Sequence, residues 1–225
     1  MMNSFRFIGD MCHLVSICVL GLRLFTVKNA RGISIKTQEM YLLVFMSRYL
    51  DLFTHFYSWY NTLMKIIYIS STAYIIYLVR ETQPFKTDYE RSQDSFLHWQ
   101  FGVAPCAVLT VLMCLFSYFT DAGVYGLEMF RYFSYFLEAI AILPQLILLQ
   151  RYREVENLTS HYVAFLGAYR FLYILNWIYR SLYEAYYEQT WVVYVCGFIQ
   201  TCLYVDFFYY FGLSKVKGSK MALPK

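Results

Sequence analysis

Seven windows of roughly twenty mostly apolar residues follow one another along the chain, at 5–25, 40–57, 63–79, 99–119, 125–149, 162–179 and 191–213. Such a window crosses a bilayer as a helix, because hydrocarbon tolerates no unpaired backbone N–H or C=O group. The chain therefore reads as an all-α membrane protein with seven transmembrane helices in a single domain. Only 15% of its 225 residues are charged, against about 25% in soluble domains. The first window carries Arg6, Asp10 and His13 and lacks a basic leader, so it reads as a retained helix rather than a cleaved signal peptide. The six cysteines, Cys12, Cys18, Cys106, Cys114, Cys196 and Cys202, all fall in predicted spans and form no Cys-x-x-Cys pair. They read as packing residues, with no metal site or cofactor implied.

Basic residues in short loops set the orientation. Lys28, Arg31 and Lys36, then Arg80, Lys86 and Arg91, then Arg151 and Arg153, and finally Lys215, Lys217, Lys220 and Lys225 occupy alternate loops and the tail. These are expected in the cytosol, which places the N-terminus in the lumen and residues 214–225 in a cytosolic tail. The sequon Asn157-Leu158-Thr159 then lies on the cytosolic side and should be unused.

A weak internal repeat is visible. A polar start at 32–38 leads into Tyr41-Leu42-Leu43-Val44-Phe45 and then Arg48, while 157–161 leads into Tyr162-Val163-Ala164-Phe165-Leu166 and then Arg170. Residues 1–79 and 125–213 would be two parallel triple-helix bundles, with 99–119 as the inverting connector and a binding site between the bundles. Pro144-Gln145 inside the fifth window predicts a kink of the kind found in PQ-loop proteins.

Charges at membrane depth are expensive, at least ~2.5 kcal/mol each, yet Arg6, Asp10, His13, Arg48, Asp51, Lys65, Glu128, Arg131, Glu138, Arg170, Arg180 and Asp206 all fall there. Lys65 and Arg131 read as structural ion pairs or snorkelling residues. Arg48 and Asp51, at i and i+3, share a helix face. Tyr169, Asn176 and Arg180 follow i, i+7, i+11 on another face, with Trp177 beside them, supplying aromatic wall, amide and guanidinium to one cavity. Arginine grips carboxylates bidentately, so Arg6, Arg48 and Arg180 suit a ligand with several carboxylates, while Asp51, Glu128 and Glu188 suit a positive end. His13, with an ordinary pKa near ~6.5, would add positive charge on mild acidification.

At the level of segments, 3–13 (NSFRFIGDMCH), 32–38, 44–54 (VFMSRYLDLFT), 60–65 (YNTLMK), 141–146 (AILPQL), 173–180 (YILNWIYR) and 206–209 (DFFY) resemble the ER lumen protein-retaining receptors, the KDEL or HDEL receptor family, over essentially the whole chain. The resemblance implies a seven-helix fold similar to SWEET and PQ-loop transporters, in a receptor cycling between Golgi and ER. Such a receptor binds the C-terminal Lys/His-Asp-Glu-Leu tetrapeptide of escaped lumenal ER proteins in the acidic Golgi and releases them at neutral pH. By matching position, Arg48 and Tyr49 would hold the peptide carboxylate, and Arg6 and Arg180 its acidic side chains. Asp51, Glu128 and Trp177 would receive its first residue, and Tyr169, Arg170 and Asn176 complete the site. His13 would sense pH through a latch of Tyr169 and Glu138. Asp206 would serve retrograde transport, and Lys215, Lys217 and Lys220 would be read by the COPI coat. His55 stands where the family pattern has a small hydroxyl residue of the pocket, and Glu188 where it has an aspartate. The competing class is a small-solute transporter of the PQ-loop or SWEET type. No enzyme motif is present, whether His-Glu-x-x-His or Gly-x-Ser-x-Gly, and the partners implied are protein and membrane lipid, not nucleic acid.

Overall fold

The computed structural model describes residues 3–53, 56–120, 126–185, 187 and 189–223. Its helices, in chain order, are α1 (Ser4–Val27), α2 (Ile35–Arg48), α3 (Trp59–Glu81), the short α4 (Phe85–Asp88), α5 (Ala104–Thr120), α6 (Leu127–Ile140), α7 (Leu143–Tyr152), α8 (Asn157–Tyr183), α9 (Trp191–Leu203) and α10 (Val205–Lys217). A 3₁₀ turn, Leu50–Phe53, follows α2, and a π turn, Trp99–Val103, runs into α5. Joined across these turns and two short breaks, the long helices form seven rods among the described residues. Five are long and apolar enough to cross a membrane: Ser4–Val27, Trp59–Glu81, Trp99–Phe119, Leu127–Tyr152 and Trp191–Lys217. Of the other two, α2 is short, at 14 residues, and α8 has length, at 27 residues, but is too polar in composition for that class. Exposed Leu109, Leu112, Leu115 and Phe116 along α5 make the kind of continuous apolar face that lipid, not water, covers.

Local chemistry explains where the helices start and break. Asn3, Ser34 and Ser58 each accept a hydrogen bond from the amide three residues on, capping α1, α2 and α3. The second apolar window was expected to stay helical to residue 57, but α2 ends at Arg48 and the chain tightens into the 3₁₀ turn. The fifth window breaks at Ala141-Ile142, as Pro144 leads one to expect, since proline can neither donate nor pack against the preceding turn. The start of α2 satisfies one freed amide and the neighbouring side chain: Gln145 N donates to Thr37 Oγ1 at 3.0 Å, Gln145 Nε2 to Gly32 O at 2.8 Å, and Ser34 N donates to Gln145 Oε1 at 2.9 Å. The seventh window breaks at Tyr204 with neither proline nor glycine at the joint.

Packing builds the site from both halves of the chain. The longest contact runs between α1 and α8, while α2 packs on both α3 and α6, α5 on α6, and α9 on α6 and α8. At Gly197 a Cβ would lie 2.7 Å from the Trp177 ring, so only glycine allows α9 to approach α8 there. Beyond the rods, β1 (Glu154–Val155) pairs antiparallel with β2 (Met221–Ala222), Val155 opposite Met221, and Leu223 N donates to Arg153 O at 2.9 Å.

Candidate functional site

The helices enclose a cavity of about 210 Å³ walled by α1, α2, α3, α6 and α8. At its base Glu138 on α6, with a side chain only 3% exposed, meets two arginines: Arg48 Nη1 at 2.6 Å and Arg170 Nη1 at 3.0 Å. Tyr169 Oη donates to the same carboxylate at 2.9 Å. Arg48 also donates from Nε to Ser134 Oγ at 3.0 Å, with its guanidinium 5.1 Å from the Tyr135 ring, and Arg170 lies 5.3 Å from the Trp177 ring. Buried ions persist only when paired and hydrogen-bonded, and here one carboxylate serves two guanidinium groups.

His13 lies above this cluster, stacked between Tyr68 (ring centroids 4.4 Å apart) and Tyr169 (4.3 Å apart, 8° between planes). Towards the mouth, Arg6 Nη2 donates to Asn61 Oδ1 at 3.0 Å. Asp10 is buried and accepts from Tyr60 Oη at 2.8 Å and from Tyr173 Oη. Four cations (Arg6, Arg48, Lys65, Arg170) and two carboxylates (Asp10, Glu138) line the space. That surplus of positive charge in a confined, low-dielectric site favours an anion.

Of the residues singled out from sequence, Arg6, His13, Arg48, Tyr49, Glu138, Tyr169, Arg170 and Trp177 come together on the cavity wall. Asp51 stands just outside it in the 3₁₀ turn, both oxygens 2.8 Å from Lys65 Nζ. Glu128 opens α6 and pairs with Arg131 at 2.6 Å, away from the wall. Lys65 and Arg131 are thus both ion-paired, the first of the two structural roles expected for them.

Two members of the α8 stripe depart from it. Asn176 is buried but accepts from Asn3 Nδ2 at 2.8 Å, tying the cap of α1 to α8 instead of facing the cavity. Arg180 reaches further along α8, donating from Nε to Glu184 at 2.8 Å with its guanidinium 4.0 Å from the Tyr187 ring. That bond holds the Glu184 carboxyl below its usual range. A stripe spanning i to i+11 runs about 16 Å along a helix, and of its three members only Tyr169 lies on the cavity wall. His55 and Glu188 lie outside the described residues.

Asp206, which looked mid-helix in the sequence, is exposed in the first turn of α10 because the rod breaks at Tyr204. A helix N-terminus is a favourable place for a carboxylate. Lys215 and Lys217 close the last turn of α10, Lys215 Nζ donating to Asn157 Oδ1 at 3.2 Å, and Lys220 is exposed beyond it.

Sequence reasoning missed Tyr60, Asn61, Tyr68, Tyr135 and Tyr173 as wall residues. The available signal was the aromatic content of 21% with 24 tyrosines, far more phenol than a lipid-facing surface needs.

A family model described as ER lumen protein retaining receptor matches residues 29–180. The chain is 48% identical over 223 residues to ER lumen protein-retaining receptor B of Arabidopsis thaliana, covering 99% of this chain and 100% of that one. It is 49% identical over 224 residues to the ER lumen protein-retaining receptor of Plasmodium falciparum (99% and 98%) and 42% identical over 226 residues to ER lumen protein-retaining receptor 2 of Xenopus laevis (99% and 100%).

Proposed function

This chain belongs to the ER lumen protein-retaining receptor family, and on that premise we propose that it binds the C-terminal Lys/His-Asp-Glu-Leu-type tetrapeptide of escaped lumenal ER proteins. It is a multi-pass membrane receptor and not an enzyme. A PQ-loop or SWEET-type transporter is not favoured by relatives of this kind.

One observation carries the reading: the Arg48 guanidinium faces the cavity while its carboxylate partner Glu138 is shared with the more deeply buried Arg170. A ligand carboxylate can take the place of Glu138 at Arg48, leaving Glu138 neutralised by Arg170. In this reading Tyr49 assists Arg48 at the carboxylate, Arg6 and Arg180 pair with the acidic side chains of the peptide, and Asp51, Glu128 and Trp177 receive its first residue, which requires Arg180 to leave Glu184 and Glu128 to leave Arg131.

His13 supplies the pH response. Its protonation puts a third cation beside Glu138, loosening the hold of that carboxylate on Arg48 and adding attraction for the peptide. Affinity is then greatest at acid pH and is lost as pH rises through the titration range of the histidine. Binding in the acidic Golgi and release in the neutral ER follow, with return through COPI vesicles that read Lys215, Lys217 and Lys220, and with Asp206 taking part in that transport. In this reading α2 and α8 also span the membrane, giving seven helices in two triple-helix bundles. The N-terminus is lumenal and the tail cytosolic.

The test is binding of labelled Lys-Asp-Glu-Leu and His-Asp-Glu-Leu peptides to purified protein at pH 5.5 and 7.5, with amidated controls. Acid-favoured binding that requires the free carboxylate is the expected result. Equal binding of the amidated peptides would refute the carboxylate site.

A further inference from the structure

A second concave site lies away from the cavity, where the first turn of α2, the end of α3, α4 and the segment before the π turn meet. It encloses about 340 Å³, and Lys36, Arg80, Lys86, Arg91 and His98 line it with a single acid, Glu39. Glu39 is already engaged, ion-paired with Arg80 and 2.9 Å from His98 Nε2. Lys36 and Arg91 make no hydrogen bond or ion pair among the described residues. Lys86 has only a 3.4 Å contact with Glu81, both side chains being about half exposed. Three cations therefore converge with weak partners or none.

The segment that presents them is built, not loose. Phe85 is buried and pins Lys86 at the start of α4. Asp94, 1% exposed, accepts from Tyr89 Oη at 2.6 Å and from the Ser34 hydroxyl that caps α2 at 3.0 Å, fixing the chain on either side of Arg91. The height of the pocket is also set. Arg80 stands at the end of the apolar helix Trp59–Glu81, and His98 immediately precedes the apolar helix Trp99–Phe119. Leu97, Trp99 and Phe101 stand exposed beside it, as a surface for acyl chains and a headgroup-level aromatic would.

We propose that this pocket binds the headgroup of an anionic membrane lipid that carries a phosphomonoester in addition to its phosphodiester. The charge balance selects that class. One lysine matches a lone phosphodiester, whereas three weakly engaged cations match a diester together with a monoester of charge about −1.5 to −2. The assignment to a cytosolic leaflet rests on the orientation proposed above.

The experiment uses the full chain in detergent. Its affinity is measured for dioctanoyl phosphatidylinositol 4-phosphate, for dioctanoyl phosphatidylserine and for water-soluble inositol 1,4-bisphosphate. The phosphoinositide should bind at least about tenfold more tightly than either of the others. The triple variant K36Q/K86Q/R91Q should lose more than about tenfold of that affinity while binding retention peptide like the parent, which shows that it is folded. Unchanged phosphoinositide binding by the variant would overturn the site. Equal affinity for the soluble headgroup would overturn its assignment to lipid. Labelling of an Arg91→Cys variant by an impermeant maleimide in sealed ER vesicles tests the orientation separately. Labelling from outside supports a cytosolic pocket, and labelling only after lysis overturns that placement whatever the binding result.

Discussion

Arg48 and Arg170 occupy equivalent places in two helices and behave differently. Arg48 is the fourteenth and last residue of α2, and Arg170, thirteen residues after Asn157, is the fourteenth of α8. Both reach Glu138, yet the Arg48 side chain is 20% exposed and that of Arg170 only 4%. Arg48 sits where its helix gives way to a 3₁₀ turn and faces open space. Arg170 lies in mid-helix among packed neighbours. One register thus yields a guanidinium free to exchange partners and another fixed as the counter-charge that makes the exchange tolerable.

The largest effect should come from Arg170→Ala, which leaves Glu138 with one cation and removes a buried pair. A loss of about 3–5 kcal/mol of stability is expected, read as a lowered unfolding temperature in detergent. Arg48→Ala should instead cost about 2–5 kcal/mol of peptide affinity with a smaller change in unfolding temperature. Equal stability losses in the two variants would erase the distinction between them. His13→Ala should flatten the pH profile of peptide binding, and a variant that kept the full acid preference would remove His13 from the mechanism. Gly197→Ala drives a methyl group towards the Trp177 ring and should destabilise by about 1–3 kcal/mol through overpacking, seen in the same melting measurement. Smallest of all, Arg131→Ala breaks a half-exposed pair with Glu128 and should change stability by at most about 1 kcal/mol.

Much of this contrast was legible in the chain itself. Apolar windows place the rods, Pro144-Gln145 places one break, and the repeat aligns Arg48 with Arg170. What spacing could not supply was convergence: nothing local says that both arginines share Glu138, 90 residues from one and 32 from the other. Nor could it show Lys65 returning to Asp51 across the turn that ends α2. The break at Tyr204 escaped notice because no proline or glycine marks it, and Asp206 consequently seemed stranded. Asn176 and Arg180 share the face of Tyr169, but a helical face is longer than a pocket, and their partners at its far end decide where they point.

The short ladder between Val155 and Met221 gives the molecule a different kind of economy. It turns the chain end from a free tether into a clasp on the turn that leaves α7, so a shift of α7 relative to α10 drags the tail lysines or opens the clasp. A pair of two-residue strands is marginal by itself in water. Here buried Met221 and Leu223 hold it against the core, so the fastening is apolar as much as hydrogen-bonded.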